Sequence, residues 1–416
     1  MKCGLMGLRS YIFTRVLLTI PMIMLLLSIV FLIIRVIPGD PVLLHFERRA
    51  SEEAMDAMRQ RLGLDKPLHV QYLEYLGGLF RGDLGLSMHD FLPVSDHIFS
   101  AFPATLELAI CSMLVAVAVG ILLGVRASQS YNSPQDQSIR AFAIVVYAMP
   151  IFFLGMILQM IFAINLHWFP ANGRFPPYLG EPRGLILHLG RPVGGFVETL
   201  AWSSLVGLVC WAFCITMLRR RHVRFWVKGF LISILAFMVG WIAWAALAWY
   251  FVNLGALRIS TGLFTVDSLI EGSPLKFVET IRYLLLPSLT LGLVLSGVFI
   301  RLTRSNMLET LRLDFVTAAK ARGLKATAVT YGYALRNAFL PILTMMGLQF
   351  ATLLGGAILT ETTFSWPGLG RYLVDRIAFR DYTAIQGAVV YFALIVAAVN
   401  LVVDIMYAYL DPRIRF

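Results

Sequence analysis

The sequence predicts an all-α integral membrane protein: a polytopic bundle of about eight transmembrane helices with a small extracytoplasmic cap. Three observations carry this. Hydrophobic residues make up 58% of 416 and charged residues only 14%, too apolar for a soluble chain of this size. Eight apolar stretches recur, each long enough to cross a hydrocarbon layer of about 30 Å at about 1.5 Å per residue. The basic residues are distributed unevenly between the loops that join them. With the N-terminus placed inside, the inner segments hold 19 of the 35 Lys and Arg but 4 of the 24 Asp and Glu. The outer segments hold 16 basic and 19 acidic residues. The whole positive excess then lies inside, as membrane topology requires. The net charge of +11 is spread over five short juxtamembrane segments, which argues against nucleic acid as a partner.

The first span is Val16–Ile34, uncharged and closed by Arg35. No small-residue cleavage pattern follows it, so it is expected to remain as a span. Residues 1–37 form this first unit. Pro38, Gly39, Asp40 and Pro41 stop the helix and turn the chain. Residues 38–102 then form the cap. Within it, Ser51 and Glu53 before Ala54, Met58 and Leu62 give a capped amphipathic helix that ends near Gly63. Gly82-Asp83-Leu84-Gly85 marks another turn. A plain surface loop is the alternative for this segment.

Spans follow at Ala104–Val125 and Ala141–Leu166. Leu200–Leu218 and Phe230–Val252 make a self-contained hairpin, about residues 199–253, holding six of the eight tryptophans. Two crossings leave the sidedness of everything downstream unchanged. The hairpin either packs on the lipid-facing periphery or binds a partner. Tyr283–Ile300, Phe339–Ile358 and Ala384–Leu410 complete the set. Between the last two lies Phe364-Ser365-Trp366-Pro367-Gly368-Leu369-Gly370, a rigid aromatic turn. It reads either as a re-entrant element shielded by protein or as an interfacial Trp anchor.

Residues 301–340 form the polar inner loop. Lys320, Arg322, Lys325 and Arg336 place it inside. Ala318, Ala319 and Gly323 give a small-residue surface on a short helix, where another backbone can come close. Asn337 and Leu340-Pro341 lead back into the membrane. A docking helix without an energy-converting site suggests half of a machine.

Catalytic and cofactor motifs are not found. There is no phosphate-cradling G-x-x-x-x-G-K-[ST] loop, no H-x₃-H or HExxH pair and no readable Ser/His/Asp spacing. No enzyme activity, cofactor or metal is expected. Cys210 and Cys214 share a helix face but read as packing residues. Cys3 and Cys111 are the other two, and no cysteine sits in an outer loop, so no disulfide framework is expected. Glu107 and Asp404 lie near span ends, where structural pairing is preferred to a proton relay.

The motifs IPGDP at 37–41, LGLDKP at 62–67, GDLGLS at 82–87 and PATLEL at 103–108 come in order along the chain. They continue with YAMPIF at 147–152, the inner loop, ILTETTFSWPGLGR at 358–371, RDY at 380–382 and DPRIR at 411–415. In this set the chain resembles the membrane-spanning permease subunits of bacterial ABC importers of the dipeptide/oligopeptide/nickel family, specifically the dipeptide-permease-like member of the pair. The resemblance implies a six-helix importer core plus the inserted hairpin, with residues 103–416 as the permease domain. It implies a coupling helix resembling Thr317–Val329, with the ATPase contact falling on Thr317, Ala318, Ala319, Arg322, Gly323, Leu324 and Pro341. Thr317 stands where the general importer motif has Glu. Pro38–Pro41, Phe364, Trp366, Pro367, Gly368 and Gly370 become extracytoplasmic or gate candidates.

Besides the lipid bilayer of a bacterial inner membrane, with both termini cytoplasmic, the implied partners are a second homologous permease, two cytoplasmic ABC ATPases and an extracytoplasmic substrate-binding protein. Short peptides are the expected cargo. Nickel, glutathione or another small solute is the alternative, as is a role in antimicrobial-peptide resistance. A channel or secondary transporter ranks third.

Overall fold

The computed structural model describes residues 8–36, 51–61, 63–179 and 261–410. Among them the regular elements are helices: α1 (Leu8–Val36), α2 (Glu52–Arg61), α3 (Leu68–Phe80), α4 (Val94–Gln129), α5 (Pro134–Ala148) and α6 (Ile151–Leu158) come first. Beyond residue 260 come α7 (Phe264–Ile270), α8 (Pro274–Thr310), α9 (Asp314–Ala321), α10 (Leu335–Gly356), α11 (Ile358–Thr363), α12 (Leu369–Ala378) and α13 (Tyr382–Leu410). The hairpin spans Leu200–Leu218 and Phe230–Val252 and the turn Pro38–Pro41 lie outside the described residues.

Three helices satisfy length and apolarity for a crossing by themselves: α4, α8 and Tyr382–Val403 of α13. Counting each of two bent pairs as one span gives five. Leu17–Ile33 of α1 is a shorter apolar stretch. At about 1.5 Å per residue, α4 and α8 are each roughly 55 Å long and overrun the hydrocarbon layer at their charged ends. The apolar runs Ala104–Val125 and Tyr283–Ile300 therefore mark only their middles.

The expected span Ala141–Leu166 is two helices, bent by 105° between α5 and α6. Met149-Pro150 is the cause. Pro150 has no N–H to give, and its ring disfavours helical backbone at Met149, which sits at ψ 130°. A π-helical turn, Gln159–Asn165, continues α6. Gln159 Nε2 there donates to the Ala171 carbonyl at 2.9 Å and the Thr363 carbonyl at 3.2 Å.

Two compact units divide the chain, residues 1–174 with 283–416, and residues 175–282. In the first, α4 is central and contacts α5, α10, α12 and α13. Ala104, Leu108, Met113 and Ala116 of α4 bury against Leu291 and Phe299 of α8 and Ile342 and Leu354 of α10. Small residues set the closest crossings, as in other membrane bundles. A Cβ at Gly120 would collide with Phe299, and one at Gly124 would lie 2.6 Å from Thr303 Cβ. A Cβ at Gly297 would lie 2.6 Å from the Ala143 carbonyl of α5.

The described residues between 51 and 93 carry two helices, α2 and α3. The Ser51 hydroxyl accepts the Ala54 N–H at 3.3 Å and starts α2 as its capping pattern predicts. Gly63 then leaves the helix at φ +63°. Met55 and Met58 of α2 bury against Met88, and Leu27 and Val30 of α1 pack with Val390 and with Tyr75 and Leu79 of α3.

The second unit is described over 175–179 and 261–282. Among these described residues Asp267 ties the turn before α7. Its carboxylate accepts the Thr261 N–H at 2.8 Å, the Thr261 hydroxyl at 2.7 Å and the Gly262 N–H at 2.9 Å. Phe175 meets Phe264 edge-on at 5.9 Å.

Candidate functional site

The polar inner loop begins where α8 ends. The backbone turns through Leu311–Leu313 and re-enters helix at Asp314, whose charge suits a helix N-terminus. α9 stops at Ala321, and Gly323 takes φ +70° with its N–H on the Lys320 carbonyl at 2.9 Å. Glycine adopts that left-handed conformation without a Cβ penalty. The expected helix Thr317–Val329 is therefore in two pieces. Gly323 divides α9 from a π-helical turn, Ala328–Ala334, that runs into α10.

The two faces of α9 do different things. Val316 and Ala319 point inward and pack with Val125 of α4, Met307 of α8, Val329, Ala334 and Ala338. Thr317, Ala318, Lys320, Arg322, Gly323 and Leu324 are exposed. The small-residue surface expected of Ala318, Ala319 and Gly323 is thus split. Ala319 is 5% exposed and serves the seat, while Ala318 and Gly323 face out. No heavy atom lies within 4 Å of a Cβ built on Gly323. Pro341 is not on this face. It lies inside α10, where the axis bends by 52°.

The seat is braced by an ion pair. Arg304 of α8 donates Nε and Nη2 to Oδ1 and Oδ2 of Asp136, each at 2.7 Å. Asp136 has no exposed surface and also accepts the Asn132 N–H at 3.0 Å. Gln129 at the end of α4 donates to the Thr330 hydroxyl at 3.1 Å. The facing ends of α4, α5 and α8 so form a fixed platform for α9.

Twenty residues back along α4 from Val125, about 30 Å at the helical rise, Thr105 marks the other end of the bundle. Here the turn Phe364–Gly370 is core. Phe364 is 1% exposed and Trp366 fully buried, with its indole N–H on the Ala104 carbonyl at 2.9 Å. Full burial rules out the interfacial Trp anchor and supports the element shielded by protein. Gly368 and Gly370 are buried too, and Pro367 is exposed. Both glycines abut the carboxylate of Glu361, which a Cβ at Gly368 would strike. Beside them, Arg174 grips Glu107 with Nη2 at 2.6 Å and Nε at 3.1 Å, its guanidinium 5.7 Å from the Trp366 ring. Glu107 is structurally paired, as expected. The Asp404 side chain lies outside the described ones.

A second network joins two of the sequence motifs. Ser87, the last residue of GDLGLS, donates to Asp381 of RDY at 2.6 Å. The Met88 N–H reaches the same carboxylate at 3.0 Å. Arg376 of α12 bonds Asp90 at 2.9 Å and lies 3.7 Å from Asp381. Burial alone would push the Asp90 carboxyl up. The Ser87 hydroxyl, the Leu92 N–H and Arg376 outweigh it and hold Asp90 well below the ordinary carboxylate range.

Sequence reasoning passed over Glu361, Thr105, Ser87 and Arg376. Each looks like an ordinary polar residue beside an apolar span. The readable signal was Glu361 upstream of two closely spaced glycines, a place for something to approach backbone.

An apolar helical bundle with a braced polar loop at one end and a locked helical turn at the other is the frame of a membrane-embedded protein. Family comparison agrees. Residues 8–109 match the N-terminal model, and residues 116–416 the main model, of binding-protein-dependent transport system inner membrane components. The chain belongs to this family. It is 36% identical to a di/tripeptide transport system permease protein of Pseudomonas aeruginosa (strain UCBPP-PA14), over 98% of each chain. It is 35% identical to a dipeptide transport system permease protein of Escherichia coli (strain K12), again over 98% of each. A glutathione transport system permease protein of Salmonella choleraesuis (strain SC-B67) is 32% identical over 98% of this chain and 99% of its own.

Proposed function

We propose that this chain is the permease subunit of an ATP-driven importer, forming half of the translocation path for short peptides. A second homologous permease supplies the other half. Two cytoplasmic ATPases drive the pair, and an extracytoplasmic binding protein delivers the cargo. The observation that carries the reading is the exposed face of α9, Thr317, Ala318, Lys320 and Arg322–Leu324, standing on a braced seat. A rigid inner mount with an exposed outer face of basic and small residues suits a partner that pushes. Thr317, Ala318, Arg322, Gly323 and Leu324 are the contact residues in this proposal. Ala319 fixes the mount, and Pro341 sets the bend in the helix beyond. Phe364–Gly370 belongs to the outer gate. In this orientation α9 and both termini are cytoplasmic in an inner membrane, consistent with the charge distribution.

Names of the relatives favour peptides, and the glutathione relative keeps a small peptide-like thiol as the runner-up. The test is uptake by the reconstituted complex with its binding protein, offering labelled dipeptide, tripeptide, glutathione and nickel in separate runs. ATP-dependent accumulation of di- or tripeptides is expected. Accumulation of nickel alone, or solute flux that ignores ATP, would reject the proposal.

A further inference from the structure

Glu361 has no exposed surface, yet its carboxylate is fully engaged. The Thr105 hydroxyl donates to Oε1 at 2.7 Å. The Arg371 N–H donates to Oε2 at 3.0 Å, and the Gly370 N–H also points to the carboxylate. Thr105 Oγ1 in turn accepts the Leu369 N–H at 2.8 Å. The first three N–H groups of α12 are therefore held by a side chain of α11 and a side chain of α4. Such groups have no partner inside their own helix, and the helix dipole favours a negative charge there. Gly368 and Gly370 admit the contact. A Cβ at Gly370 would lie 2.7 Å from Ile358 Cα and 2.9 Å from Glu361 Oε2.

We propose that Glu361, acting through Thr105, is a positioning residue: a latch that fixes α12 against α4 and must release for α12 to move during transport. The word transport rests on the importer reading above; the latch itself does not. The fastening is of a kind that switches. α12 is short, and its outer face leaves Ile377 about half exposed. Its polar hold at this end is a set of directional bonds to Glu361 and Thr105, beside Leu369 packed with Val94, Ile98 and Ala384. Partial displacement strands buried polar atoms without partners, so the arrangement is either closed or open, with little between. The other end of α12 is tied by Arg376 to Asp90 and Asp381, so release at Glu361 would swing the helix about that anchor.

The test uses the purified complex in detergent, with Cys3, Cys111, Cys210 and Cys214 replaced and Leu369→Cys added as a probe. Leu369 is fully buried in the latched state, so its labelling by a soluble thiol reagent reports opening. Thr105→Val keeps the shape and removes both bonds; Thr105→Ser keeps the hydroxyl. Labelling about tenfold faster in the Val variant, with Ser near the parent rate, is expected for the loss of two buried hydrogen bonds. Equal rates in all three would overturn the latch. So would a Val variant that labels at the rate of unfolded protein or no longer co-purifies with its partners, because Thr105 would then be a fold anchor. ATP hydrolysis by the same variants separates the two readings. Fast labelling of the Val variant, in a parent complex whose hydrolysis ignores the binding protein, supports the latch and counts against the importer.

Discussion

Asp136 and Arg304 illustrate what a single pair contributes when one partner is out of reach of water. Asp136→Ala leaves the guanidinium, whose side chain is 18% exposed, without its bidentate acceptor, and losing such charge-assisted bonds costs about 1.5–3 kcal/mol. The pair Asp56–Arg59 is the control, since its side chains are 64% and 34% exposed and exposed pairs contribute less than about 1 kcal/mol. Thermal unfolding in detergent should therefore separate Asp136→Ala from Asp56→Ala clearly. Asp90 gives a pH dependence. Its folded carboxyl titrates below the ordinary value of 3.8. The stability it adds is complete above about pH 4 and fades as pH falls through the folded value. The comparison is Asp90→Asn, which removes this carboxyl, also 3.0 Å from His97 Nε2. Below pH 4 the parent should lose stability more steeply than the variant; identical slopes would remove Arg376 from the explanation. At this scale the pairing of Glu107 was legible in the sequence, because an acid at a span end needs a partner. Glu361 was not, because one acid in a polar segment gives no sign of burial.

Among the elements, the apolar runs were easy to see and their breaks were not. Ala141–Leu166 has no charge to interrupt it, so it read as one span, although Pro150 was in plain view. Likewise Thr317–Val329 read as one helix because its small and apolar residues continue past Gly323. Hydrophobicity reports burial, whereas backbone hydrogen bonding decides where a helix ends. Glycines divide by environment in the same way. Gly120→Ala puts a methyl onto Phe299 and should cost about 1–3 kcal/mol through overpacking. Gly332 lies in the π-helical turn with no heavy atom within 4 Å of a built Cβ. Gly332→Ala should be neutral or stabilising, by up to about 1 kcal/mol. Chemical unfolding of the isolated subunit checks both, and equal losses at the two positions would contradict the packing at the α4–α8 crossing.

For the whole molecule, composition gave the membrane class and the motif order gave the family, while the packing between distant motifs needed three dimensions. GDLGLS and RDY are separated by most of the chain, and no local pattern tells that Ser87 bonds Asp381. Orientation can be checked with single cysteines at Glu53, Arg221 and Lys325 in a cysteine-free chain. An impermeant thiol reagent added to intact cells should label only position 53; labelling at 325 would invert the topology. The central claim is that the outer face of α9 receives the force of partner ATPases. Ala318→Trp tests it most directly, because Ala318 is exposed on a regular helix, where an indole meets neither backbone strain nor a neighbour within the subunit. The measurement is binding-protein-stimulated ATP hydrolysis by the reconstituted complex, with the unfolding temperature of the isolated subunit as control. The account predicts an unchanged unfolding temperature together with loss of stimulation and of ATPase co-purification. Full stimulated hydrolysis by the Ala318→Trp complex would contradict it.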